Sequence, residues 1–114
     1  SSPWSIIQSA NDGVGLAGLP VVSDAGGMSV SEGPAVADGV LTATISGGDA
    51  GGDVHVFGVS GTEVLAEQVE TLEAGGTVEV SLEVGDADPA SITFAASLVT
   101  DDGNAQAVAA PVSP

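Results

Sequence analysis

The carboxylates are the side chains of this sequence best suited to chemistry, and four of them fall in two short loops. Asp49 and Asp53 lie within Gly47 to Asp53, and Asp101 and Asp102 within Asp101 to Asn104. Ca²⁺ accepts several carboxylate oxygens in flexible geometry, so loop aspartates that converge are natural ligands for it. The two loops fall at one end of a sandwich with seven strands in sequence order, whereas Asp86 and Asp88 belong to the other end. None of these spacings is that of a dedicated calcium loop. The competing reading is that they are solvated turn residues, used because Asp bonds its own backbone in turns. His55 is the one histidine. No serine or carboxylate pair stands at a spacing that would make it part of a nucleophilic triad, and cysteine is absent. On a strand it reads as a surface or interface residue. The glycine pairs are followed by neither a lysine nor a helix, so they form no phosphate cradle. The expectation is a non-enzymatic protein with no cofactor other than, on the first reading, Ca²⁺.

The element that must position these residues is read from Thr71 to Val84. Val78, Val80, Leu82 and Val84 alternate with Thr77, Glu79, Ser81 and Glu83, the period-two pattern of a strand with one face buried and one in water. Ala74-Gly75-Gly76 before it is a turn. Val40 to Ser46 alternates likewise, with Leu41, Ala43 and Ile45 inward, and Val54 to Val59 is the next strand. Thr62 to Leu72 also fits a helical face through Leu65, Val69 and Leu72, but its place between short glycine turns predicts a strand. Ser91 to Val99 points Ile92, Phe94, Ala96 and Leu98 inward, and Ala105 to Ala110 returns as the last strand before Pro111. Counting one strand from the N-terminal part, where Leu19 to Val22 and Met28 to Val30 are candidates, this makes about seven. The fold expected is all-β, an immunoglobulin-like antiparallel β-sandwich over residues 40–114. Residues 1–39 are expected to form an arm. Pro3 at the first turn after Ser2 favours a short helix there, with Trp4 and Ile7 on one face and able to anchor against the core or a neighbour.

Composition restricts the partners. Sixteen acids stand against no lysine and no arginine, a formal charge of −16. Nucleic acid is excluded, since no cation is available to replace phosphate counterions, and an anionic membrane surface is excluded on the same ground. No apolar run reaches the roughly 18 residues needed to cross a bilayer. Ser1 to Gly18 shows neither the charged nor the apolar region of a signal peptide, so none is expected within these residues. Such a charge is best tolerated at high salt, where a Debye length of roughly 3 Å at 1 M silences most repulsion. The composition reads as that of a protein from a saline habitat.

The run Val40-Leu-Thr-Ala-Thr-Ile-Ser46, the Gly/Asp loop, Val54-His-Val-Phe57, and Glu63-Val-Leu-Ala66 with Thr71 to Leu82 carry a resemblance. Over about residues 40–110 the chain resembles the immunoglobulin-like modules of surface and adhesion-related proteins of bacteria and archaea. Leu72-Glu-Ala-Gly75 and Thr77 to Leu82 match their "leucine, two residues, glycine" turn and alternating strand. The resemblance implies a sandwich and a non-catalytic habit. A lone sandwich with an arm is also similar in architecture to accessory coat proteins of tailed viruses.

The two outer faces differ. Glu79 and Glu83 mark a solvated face, whereas the outward set Thr93, Ala95, Ser97 and Val99 carries no charge, and its expected neighbours at Val54 to Val59 and Ala105 to Ala110 carry none either. Charge depletion marks interface cores, so an interface is expected at His55, Phe57, Thr93, Ala95, Ser97 and Val99, joined by Trp4 and Ile7; folding of the arm over the same face is the alternative. The reading is a structural protein of an extracellular or virion assembly: a capsid decoration protein or surface-lattice subunit whose partners are a coat or lattice protein and other copies of itself. A Ca²⁺-assisted adhesin or carbohydrate-binding module is the second reading.

Overall fold

Alternation dictates strands, and strands are what form. In a computed structural model, which describes residues 27–61, 63–100 and 105–113, seven strands follow in order: β1 (Ser29–Ala37), β2 (Val40–Ser46), β3 (Gly52–Ser60), β4 (Glu63–Leu72), β5 (Thr77–Glu83), β6 (Ile92–Thr100) and β7 (Ala105–Pro111). They make two sheets, a three-stranded one in the order β1-β2-β5 and a four-stranded one in the order β4-β3-β6-β7. Every strand pair within the two sheets is antiparallel. The helical part of the described residues is one 3-10 turn at Pro89–Ser91, where the Asp88 carboxylate accepts from the Ala90 amide at 3.0 Å.

The core lies between the sheets and comes from the expected positions. Leu41, Ala43 and Ile45 of β2, Val80 and Leu82 of β5, and Ile92, Phe94, Ala96 and Leu98 of β6 are all buried in one cluster. Gly58 points into the same space from β3. A methyl group there would come within 3.1 Å of the Val84 side chain, so the missing side chain is what lets Val84 close the core.

The ambiguous segment is a strand. β3 pairs along β4 from Gly52–Leu72 to Ser60–Glu63, with one irregularity at Gly58/Val59. Leu72 is buried while Val69, three residues earlier, is exposed. That separation suits period two and breaks the helical face.

The sheet starts before residue 40. β1 occupies Ser29–Ala37, inside the segment expected to be the arm, and pairs with β2. Its turn is Asp38-Gly39, with φ of 52° and 77°. Both residues sit in the left-handed region, which suits a two-residue hairpin turn, and Asp-Gly is a preferred pair for it. The Gly39 carbonyl also accepts the Val84 amide at 2.9 Å and the Gly85 amide at 3.2 Å. β1 reaches the other sheet as well, since Ala35 bridges to Ser113 and the Val36 amide donates to the Ser113 carbonyl at 3.0 Å. Pro34 and Pro111 stand on the edge strands β1 and β7, where a missing donor breaks no ladder. The expected helix near Ser2 and the expected turn at Asp101 to Asn104 lie outside the described residues.

Candidate interface on the outer face of the four-stranded sheet

Register places the outward side chains of the four-stranded sheet in four rows. Read from β4 across β3 and β6 to β7, they are Thr71, Asp53 and Val99; Val69, His55, Ser97 and Ala107; Glu67, Phe57, Ala95 and Ala109; and Val64, Val59, Thr93 and Pro111. His55, Phe57, Thr93, Ala95, Ser97 and Val99, expected to share an interface, therefore share one face, with Phe57 directly beside Ala95 and His55 beside Ser97. Trp4 and Ile7 lie outside the described residues. Both acids of the face are marginal: Glu67 is on the edge strand and Asp53 in the end row.

Burial divides this face more sharply than charge does. Phe57, Val59, Thr93, Ala95, Ser97 and Ala109 are between 0 and 3% exposed, although they point away from the core between the sheets. Val64, Val69 and Val99 at its margin are 38, 50 and 47% exposed, and they are the exposed large apolar residues found among the described residues. His55 is half-buried. A strip along β3, β6 and β7, already out of water in the single chain, thus has a partly wet apolar rim. Ser97 sharpens the picture, because its Oγ is buried and has no hydrogen-bond partner among the described residues.

The opposite outer face is built the other way. Glu79 and Glu83 on β5 and Glu32 on β1 are exposed, alternating with Thr77 and Ser81. The strip was legible from the parity of β6, which singles out Thr93, Ala95 and Ser97. Val59, Ala107, Ala109 and the rim residue Val69 join it through register, and Val64 reaches the rim by the irregularity between Ala66 and Val64, for which the sequence carries no plain signal.

The acidic loops are at the ends. Gly52 pairs with Thr100, so the loop holding Asp49 and the connection that follows β6 are at one end of the sheet. The Gly39 and Gly85 turns are at the other end, with Asp86 and Asp88. Asp49 and Asp53 are exposed; Asp101 and Asp102 lie outside the described residues. Among the described residues no three metal-ligating side chains gather, and no helix is long and apolar enough to cross a membrane. No protein family, curated protein or solved structure matches the chain.

Proposed function

We propose that the chain is a non-enzymatic structural subunit of an extracellular or virion assembly in saline medium, a capsid accessory or decoration protein or a surface-lattice subunit. The observation that carries this reading is the division of labour between faces. One outer face shows Glu32, Glu79 and Glu83 to water, and the other holds a dry strip free of acids inside a rim of exposed valines. In such a subunit the acidic face looks to the medium and the exposed valines Val64, Val69 and Val99 meet the lattice. The sandwich is immunoglobulin-like in this reading: its strand order corresponds to a seven-stranded constant-type domain in which the fourth strand has moved to the opposite sheet. Partners are a coat or lattice protein and further copies of the chain.

Sedimentation of the full chain at about 0.1 M and about 2 M NaCl tests this, because salt removes the repulsion that keeps copies apart. Reversible association at the higher salt, weakened by Val69→Glu on the rim, is the expected result. A monomer at both salts, unchanged by Val69→Glu, sinks the lattice reading. The Gly52–Thr100 pairing, which sets the loop holding Asp49 beside the end of β6, favours the calcium-assisted adhesin or carbohydrate-binding module as second reading. A melting temperature that rises with Ca²⁺ and falls with chelator would select it.

A further inference from the structure

The edges of the two sheets are treated differently. On one side β1 and the end of β7 are bonded together, the Val36 amide donating to the Ser113 carbonyl and the Ser113 amide to the Pro34 carbonyl. At the far edge of the four-stranded sheet stands β4, whose outer side meets no backbone partner among the described residues. We propose that this edge pairs with the same edge of a second copy, antiparallel about a two-fold axis at Val69, so that two four-stranded sheets become one. The inference rests on the salt-dependent self-association proposed above and names the contact that makes it.

Three features of β4 point to a second copy in this register. An unpaired edge is a template for another strand, and β4, with 10 residues, is the longest strand described and contains no proline. Its regular part is centred on the proposed axis. The pairing with β3 runs without a break from Ala66 to Leu72, and Val69 is the middle residue of that stretch. A two-fold axis there therefore lays the whole regular stretch of one copy along that of the other, as an isologous contact requires.

The second feature is what the axis opposes. It sets Gln68 against Glu70, Glu67 against Thr71 and Ala66 against Leu72, so no acid faces an acid. An axis at Glu67 or at Glu70 would instead place that carboxylate opposite its own copy, which destabilises a strand pair. Gln68 already donates to Glu70 Oε2 of its own chain. Its amide has a second N–H, and the Glu70 of the second copy is the acceptor across the pair. The third feature is apolar: Val69, exposed in the single chain, is covered by its own symmetry mate. The edge strand β5 has no such residue, since it shows Thr77, Glu79, Ser81 and Glu83 outward. Glu67 and Glu70 still repel their counterparts at a distance, so pairing awaits salt that screens them.

The chain has no cysteine, so a single introduced thiol reports the register. Val69→Cys and Thr71→Cys are exposed changes, and each is made in the full chain and oxidised with diamide at about 0.1 M and about 2 M NaCl. Directly opposed residues have Cβ atoms about 4.5–5.5 Å apart, close to what a disulfide spans, whereas the two Thr71 positions would be offset by roughly 13 Å along the strands. At the higher salt Val69→Cys is expected to give covalent dimer on the order of 100-fold faster than Thr71→Cys. Glu67→Cys mixed with Thr71→Cys is expected to give the mixed dimer, identified by mass, ahead of either homodimer. That mixture retains Val69 and decides the matter should Val69→Cys weaken association. Association at the higher salt without a mixed dimer overturns this contact and leaves the lattice reading standing. A monomer at both salts removes both.

Discussion

Phe94 and Ser97 are three residues apart on β6 and point to opposite sides of one sheet, and both are removed from water. Burial costs them different things. Phe94 gains by leaving water, whereas a hydroxyl leaving water loses hydrogen bonds that must be replaced. Ser97 Oγ is buried with no hydrogen-bond partner among the described residues, so its hydroxyl carries that loss unreplaced there. Ser97→Ala is therefore expected to leave stability unchanged or raise it, whereas a hydroxyl bonded in solution would make it cost about 1 kcal/mol. For a domain of this size that lowers the melting temperature by about 4–8 °C. Calorimetry of the two proteins decides the matter. An unchanged or higher melting temperature for the alanine variant means that the hydroxyl is unpaired in solution as well.

At the scale of elements, the turn Asp38-Gly39 ties three strands together. It joins β1 to β2, and the Gly39 carbonyl receives both amides that follow β5. With φ at 77°, a side chain at Gly39 is strained, and its Cβ would stand 3.3 Å from the Gly85 carbonyl oxygen. Gly39→Ala should therefore destabilise by more than about 1 kcal/mol, read as a lower urea midpoint with an unchanged slope. A midpoint equal to that of the parent would show that the turn relaxes freely. β1 also shows where the sequence stops being readable. From β2 to β6, apolar residues alternate cleanly enough that strands, parity and inward residues all follow from spacing, and β4 is fixed as a strand by its glycine turns. β1 contains Glu32-Gly33-Pro34, residues depleted in strands, and its pairing slips twice, between Val30 and Glu32 and between Glu32 and Ala35. Two bulges erase the alternation, so spacing offers only Met28 to Val30 as a candidate for this strand and leaves its course to Ala37 unread. The strip was legible for the opposite reason. An outward set without acid stands out in a chain that places Glu79 and Glu83 at equivalent positions of β5, although nothing in spacing says what lies on top of it. The half-buried Gln68 and Glu70 of edge strand β4 belong here as well. They sit on its inward side, with the Gln68 amide donating to Glu70 Oε2, and polar inward residues discourage edge-to-edge pairing of strands.

For the whole molecule the dominant fact is that sixteen acids have no lysine or arginine to meet them. Among the described residues, folding gathers these charges onto the outer face of the three-stranded sheet, along edge strand β4 and onto the sheet ends, while the unfolded chain spreads them out. Repulsion is therefore a cost of the folded state, and it shrinks as ions screen it. The Debye length falls from roughly 30 Å at 0.01 M to about 10 Å at 0.1 M and about 3 Å at 1 M. Glu79 and Glu83, four residues and roughly 13 Å apart along β5, are largely screened from one another by about 0.1 M, and closer pairs only toward 1 M. Stability should accordingly rise with NaCl throughout, and thermal unfolding of the full chain from about 0.01 M to about 1 M measures it. A second process begins above that range, where excluded salts strengthen apolar burial irrespective of charge. The two are separated by comparing chloride with sulfate at equal ionic strength: screening treats them alike, whereas exclusion favours sulfate. A melting temperature that is flat from low to molar NaCl would mean that the acids are too dispersed to oppose folding. The charge would then act between molecules, holding copies apart in dilute medium and permitting their contact in brine.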